Sequence, residues 1–185
     1  MHRRKVEHEL TQAVVWEVES EAEGPVPGSR EVSLLFCDLT GFTTFADAYG
    51  DAAAIEVIER FSDRVDALRG ERSRFVKRLG DGYMLAYPKP GEAVAAALRI
   101  GASMREVEDV GIHAGIHHGV AVFRDGDCFG RAVNLAARLL AAARNGEVLA
   151  SHDVAASTPE HPWRHRGATR LRGFAEPLDV YALSL

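Results

Sequence analysis

The stretch from Val32 to Thr44 constrains this chain more than any other. Its first part, Val32-Ser33-Leu34-Leu35-Phe36, has the composition of a strand buried on at least one face. That run leads straight into Cys37-Asp38-Leu39-Thr40-Gly41-Phe42-Thr43-Thr44: one acidic residue, a glycine turn and the opening of a helix. A carboxylate at the end of a buried strand is costly to desolvate unless a cation neutralises it. The turn after it presents backbone N–H groups at a helix start, where phosphate oxygens are favoured. Asp38 therefore points to a metal, and Thr40 to Thr44 to a phosphate cradle beside it. An aspartate ahead of a glycine turn is also an ordinary capping residue, so the segment alone leaves both readings open.

The 185 residues suffice for one domain with a proper core. With 27 acidic against 22 basic residues, the chain lacks the basic footprint of a nucleic-acid or anionic-membrane binder. No apolar run approaches the roughly 20 residues needed to cross a bilayer. The basic start, Met1 to Lys5, is followed by no apolar core of the kind a signal peptide needs. Two cysteines, Cys37 and Cys128, make no disulfide framework, and the expectation is a reducing, cytoplasmic compartment.

Residues 4–22 suggest a charged, thinly amphipathic helix, broken by Glu23-Gly-Pro-Val-Pro-Gly-Ser29. The expected organisation is an appendage and linker over 1–29 and a domain over 30–185. Within the domain, helical spacing predicts a helix from Asp51 to Arg69, with Asp51 as its N-cap. Ser73 to Leu79 and Tyr83 to Tyr87 flank Gly80-Asp81-Gly82, a hairpin signal. Glu92 to Val107 predicts a helix and Val110 to Phe123 a strand, interrupted or bent near Gly119. Arg124 to Asp127 is a turn, Ala132 to Ala143 a helix and Glu147 to Ala150 a short strand. The tail from Trp163 to Leu185 supplies two more strands. This mixed order with a central hairpin predicts an α+β fold with a mostly antiparallel sheet, not a doubly wound parallel one.

The hairpin can lie beside the first strand, which brings Asp81 towards Asp38. Two carboxylates meeting at a sheet edge repel unless divalent cations bridge them, and such oxygen ligands suit Mg²⁺ or Mn²⁺ better than zinc. Gly-Asp-Gly is equally a plain turn. Strand alternation gives Lys77 the facing of Phe75 and Leu79, an unusual place for a lysine on a core face. Asn134 and Arg138, four apart, share one helix face and are able to clamp a sugar and a phosphate, the arginine as a planar cationic fork. His113, His117 and His118 lie close together; core or interface roles are favoured over a metal site.

Phe36-Cys37-Asp38-Leu39-Thr40-Gly41-Phe42-Thr43, then Lys77-Arg78-Leu79-Gly80-Asp81-Gly82, then Asp127-Cys128-Phe129-Gly130 with Val133-Asn134 and Arg138, resemble class III adenylate/guanylate cyclase catalytic domains. The resemblance covers about residues 30–183. It implies a ferredoxin-like core working as a head-to-tail homodimer, with active sites at the interface. Residue by residue, Asp38 and Asp81 match the pair that binds two divalent ions, with the Leu39 carbonyl assisting. The backbone around Phe42 and Thr43 matches the phosphate cradle, and Arg172 falls more loosely at a triphosphate-binding position. Lys77 and Asp127 match the positions that read the purine. Asn134 and Arg138 match the pair that orients the ribose and stabilises the transition state. The arm between Gly119 and Gly130 is shorter than in many members.

The implied activity is conversion of ATP to 3′,5′-cyclic AMP by a two-metal mechanism. Lysine can donate to adenine N1 and aspartate can accept from its N6 amino group, whereas guanine reverses that pattern. Cys128, beside Asp127, keeps GTP in view, since cysteine resembles a guanine-reading residue. A nucleotide-binding regulatory module without turnover is the reading from another class.

Overall fold

The computed structural model describes residues 27–107 and 109–185, so the helix expected over 4–22 lies outside the described residues. The elements follow as β1 (Ser29–Thr40), α1 (Phe42–Leu68), β2 (Arg74–Leu79), β3 (Gly82–Tyr87), α2 (Pro90–Met104) and β4 (Gly111–Arg124). Then come β5 (Asp127–Phe129), α3 (Arg131–Ala142), β6 (Glu147–Ser151), α4 (His152–Ser157), β7 (Arg164–Thr169) and β8 (Leu178–Ser184). One sheet runs in the order β2-β3-β1-β4-β6-β8-β7, with β5 paired to β4 off that path. The first four strands, ordered β2-β3-β1-β4 and joined by α1 and α2, make a ferredoxin-like core. The β4–β6 pair is parallel, while β1–β3, β1–β4, β2–β3, β4–β5, β6–β8 and β7–β8 are antiparallel. This is the α+β class with a mostly antiparallel sheet that the element order predicts.

Both faces of the sheet are covered, which explains why Val32 to Phe36 is apolar without a clean alternation. On one face, Leu35, Cys37 and Leu39 pack with Leu85 and Tyr87 against Val57, Phe61 and Val65 of α1 and Val94, Ala97 and Ile100 of α2. On the other, Val32, Leu34 and Phe36 join Met84 and Ala86 against Ala132 and Ala136 of α3. α3 lies unusually close to β4. A Cβ added at Gly115 would meet the Leu140 nitrogen at 2.1 Å and the Ala136 oxygen at 2.4 Å, so only glycine permits this approach.

Three expectations need correction. The helix opening read at Thr43 and Thr44 and the helix read from Asp51 are one element, which begins at Phe42 and bends at Gly50 (φ 84°, ψ 169°). Asp51 follows that bend, and Gly41 holds the N-cap position. β4 is continuous, since its pairing with β1 runs unbroken from Ser29↔Val122 to Thr40↔Gly111. β2 carries a bulge: Phe75 pairs with Leu85 but Lys77 pairs with Met84, so Val76 is the extra residue. Simple alternation therefore fails, and Lys77 faces the opposite side of the sheet from Phe75.

Candidate active site

Asp38 sits near the end of β1, beside Gly82 of β3 and paired with His113 of β4. By alternation it shares the face of Val32, Leu34 and Phe36, the side that α3 covers further along the sheet. The hairpin places Asp81 next to this carboxylate, in the turn between β2 and β3. Burial, then the Asp81 charge, pushes the Asp38 carboxyl up to about 6, against the Leu39 N–H bond and nearby His113, which lower it. The Leu39 N–H donates to Asp38 Oδ1 at 2.9 Å. A Cβ at position 82 would stand 3.1 Å from Asp38 Cγ and Oδ1, so the missing side chain leaves the carboxylate its space.

This pair tests directly as a cation site. Two hard oxygen donors converge, their mutual repulsion is only partly offset by the Leu39 N–H and His113, and a glycine keeps the space beside them open. The donor set fits Mg²⁺ or Mn²⁺. Among the described residues no group of three or more His, Cys, Asp and Glu side chains is placed to hold a metal. Further ligands would have to come from backbone carbonyls such as that of Leu39, from a substrate or from water.

Next to the carboxylates, α1 opens at Phe42 with Gly41 in a left-handed conformation (φ 75°) and no side-chain cap. The first N–H groups of a helix lack intrahelical acceptors, so the turn at Phe42 and Thr43 presents uncapped donors, as a phosphate cradle requires. Phe42 packs half-buried against the core and Thr43 is exposed.

Lys77 is aimed by the bulge. It occupies the cross-strand row of Met84 and Phe36, one step along from the row of Leu79, Gly82 and Asp38. Its Nζ donates to Asp127 Oδ2 at 2.9 Å, with about a third of each side chain exposed. The Lys77 ammonium and the Cys128 N–H, which donates to Asp127 Oδ1 at 2.7 Å, hold the Asp127 carboxyl below its usual value. Cys128 is 1% exposed among Val32, Phe36 and Ala132, and burial pushes its thiol up to about 11. Asp127, not Cys128, is therefore the accessible partner of Lys77.

On α3, Ala132, Leu135, Ala136 and Leu139 are buried, which leaves Asn134 and Arg138 exposed together on the opposite side. Arg172 is exposed in the turn between β7 and β8. The three histidines are each held by protein groups. His113 Nδ1 lies 3.1 Å from the Ala143 carbonyl oxygen, His117 Nδ1 2.8 Å from Ser151 Oγ, and His118 Nδ1 2.8 Å from Ser33 Oγ. Sequence reasoning missed Gly82 and His113 as neighbours of Asp38. The signal for Gly82 was present in Gly80-Asp81-Gly82, but its reason emerges only from the strand register.

The adenylate and guanylate cyclase catalytic domain model matches residues 25–184. A pH-sensitive adenylate cyclase of Mycobacterium tuberculosis is 32% identical over 178 residues, covering 88% of this chain and 43% of that protein. An adenylate cyclase of Streptomyces griseus is 32% identical over 134 residues, 71% of this chain and 34% of that protein. The chain thus spans less than half the length of these relatives. The adenylyl cyclase CyaB from P. aeruginosa superposes with a TM-score of 0.76 at 21% identity, covering 85% of this chain and 95% of that one. An adenylate cyclase from Trypanosoma brucei, in its monomeric state, gives 0.76 at 22% identity over 89% and 92%. These two likenesses show the fold; the match over 25–184 shows the family. This chain belongs to the adenylate and guanylate cyclase catalytic domain family.

Proposed function

We propose that this domain is an adenylate cyclase, converting ATP to 3′,5′-cyclic AMP and pyrophosphate at sites shared between two copies of the chain. The observation that carries the substrate choice is the Lys77–Asp127 pair at 2.9 Å. It sets a cationic donor beside a carboxylate acceptor, complementary to adenine N1 and N6 on one edge. Guanine offers O6 as an acceptor and N1–H as a donor, and the buried Cys128 thiol is out of reach.

Asp38 and Asp81, helped by the Leu39 carbonyl, would hold two divalent ions, Mg²⁺ or Mn²⁺. Such ions acidify a bound hydroxyl and neutralise a departing phosphate when present. The chain's own groups do the rest. Uncapped N–H donors at Phe42 and Thr43, with Arg172, bind the triphosphate. Asn134 orients the ribose so that its 3′-oxygen faces the α-phosphorus in line with the leaving pyrophosphate. Arg138 meets charge developing on the α-phosphoryl oxygens. No side chain is assigned as a general base.

Lys77 and Asp127 bond within one chain, so a single protomer supplies the base reader, and with it Asn134 and Arg138. The other protomer supplies Asp38 and Asp81. Exposed Leu79 and Phe129 flank these residues, as apolar contacts between copies would. Six site side chains on one chain allow a homodimer to build two complete sites.

The test is a product assay on the purified chain, offering ATP or GTP with Mg²⁺ or Mn²⁺ over a range of protein concentrations. Cyclic AMP from ATP, with specific activity rising with concentration, is expected. Cyclic GMP as main product would overturn the base assignment, and nucleotide binding without either product would favour the silent regulatory reading.

A further inference from the structure

A cavity of about 270 Å³ lies at the opposite end of the β2–β3 hairpin from Asp81. It is formed where the α1–β2 loop meets the end of β3 and the start of α2. Among the described residues, the buried side-chain polar atoms without a hydrogen-bond partner are Arg69 Nε, Tyr83 OH, Tyr87 OH and Glu92 Oε2. Arg69, Tyr87 and Glu92 all line this cavity. Buried polar groups are ordinarily bonded, so three orphans around one space point to something that fills it. Tyr87 is the strongest marker, since it is 1% exposed and its hydroxyl has no partner.

The lining selects the ligand. Arg69, Arg72 and Arg99 face a single acidic residue, Glu92. Arg72 Nε pairs with Glu92 Oε1 at 3.2 Å and Arg69 Nε lies 3.7 Å from Asp66 Oδ1, beyond hydrogen-bond distance, which leaves the excess positive charge on Arg99. Arg69 and Arg99 are already oriented by protein groups: Arg69 Nη1 donates to the Ser73 carbonyl and hydroxyl oxygens, and Arg99 Nε and Nη2 donate to the Leu68 carbonyl. The N-terminal turn of α2, at Gly91 and Glu92, adds its partial positive charge. Tyr87 OH and Arg69 Nε require an acceptor. Glu92 Oε2 requires a donor. A fully deprotonated anion satisfies the first two and repels the third.

We propose that this cavity is a binding site for hydrogenphosphate, a small oxyanion that still carries a P–OH. Its unprotonated oxygens accept from Tyr87 and Arg69, and its hydroxyl donates to Glu92 Oε2. The site lies outside the catalytic groups and does not depend on them.

Calorimetric titration of the full chain with inorganic phosphate at pH 7.5 and constant ionic strength tests this. Saturable binding is expected, with sulfate, which has no proton to donate, at least about tenfold weaker. Tyr87→Phe should weaken phosphate by about tenfold, and Arg99→Gln by a similar factor. Glu92→Gln supplies an amide donor and should erase the preference for phosphate over sulfate. Glu92 is partly exposed, so this variant remains informative if Tyr87→Phe fails to fold. Equal binding of phosphate and sulfate by the wild type would overturn the proposal. So would phosphate binding unchanged in the variants, which would place the anion in the nucleotide site. Glycerol phosphate, mostly without a P–OH at this pH because its second pKa is about 6, should bind like sulfate. If it binds more tightly than phosphate, the hydrogenphosphate assignment falls.

Discussion

At the scale of single residues, the carboxylates at the head of the sheet are held in conflict. Asp38 is raised to about 6 by burial and by Asp81, so the apo protein bears a like-charge cost at neutral pH. Asp81→Asn should raise the Tm in chelator at pH 7.5, by an amount equivalent to roughly 1 kcal/mol once solvent screening is allowed for. The same variant should lose the stabilisation that Mn²⁺ gives the wild type. Thermal unfolding with and without Mn²⁺ checks both, and a wild-type Tm indifferent to Mn²⁺ would contradict the cation site. His117 gives a pH test of opposite sign. Burial pushes its imidazole down to about 4, from an ordinary 6.5. The unfolded chain takes the proton near 6.5 and the folded chain only near 4, so acid favours unfolding between them. The stability tied to neutral His117 is full above pH 6.5 and drains as pH falls to 4. Asp38 works against it between 3.8 and about 6, so the wild-type curve mixes the two. The difference between wild type and His117→Gln isolates the histidine, and the variant should lose less stability on acidification through that window.

At the scale of elements, two local irregularities set the site. The bulge at Val76 turns Lys77 onto the face where it meets Asp127. Lys77→Glu combined with Asp127→Cys should therefore shift activity from ATP towards GTP, read as the ratio of kcat/KM for the two nucleotides. An unchanged ratio would refute the base assignment. The contact of α3 with β4 through Gly115 sets the height of the helix that carries Asn134 and Arg138. Gly115→Ala should cost about 2–4 kcal/mol in chemical denaturation, because the clash is with backbone that has no rotamer to yield. The chain order, the hairpin and the main helices were legible because their hydrophobic periods are long enough to count. β5, three residues long, and α4, six, carry no period to count. The opening of α1 near Thr43 is legible, but its continuation through Asp51 is hidden, because Gly50-Asp51 has the chemistry of a break and a cap while the helix merely bends there. The shared facing of Lys77 and Leu79 is legible, but that of Lys77 and Phe75 is not, because a one-residue bulge between them leaves no mark in the alternation.

At the scale of the whole molecule, Asp38 on β1 and Asp81 in the β2–β3 turn form one pair, and Lys77 on β2 with Asp127 on β5 form another, all on one sheet. Asp38 and Asp81 were legible as candidates because charged residues at the end of an apolar strand and in a tight turn need a reason. Asn134 and Arg138 were legible by their spacing, and α3 does expose them on one side. Their meeting with a substrate is not legible, because in the proposed function it takes a second copy of the chain. Among the described residues no helix is long and apolar enough to cross a membrane. Of the exposed large apolar side chains among the described residues, Leu79 and Phe129 are next to site candidates in the chain, while Tyr49, Ile55, Phe75 and Val120 are exposed elsewhere.

The most direct measurement of that claim is complementation between two inactive variants. Asp38→Ala and Arg138→Ala are each assayed for cyclic AMP from ATP, then mixed in equal amounts and assayed again. Each alone should be inactive. Half of randomly formed dimers would pair the two variants, each with one whole site, so the mixture should recover up to roughly a quarter of wild-type activity. No recovery, with both variants folded and dimeric, would contradict the shared site.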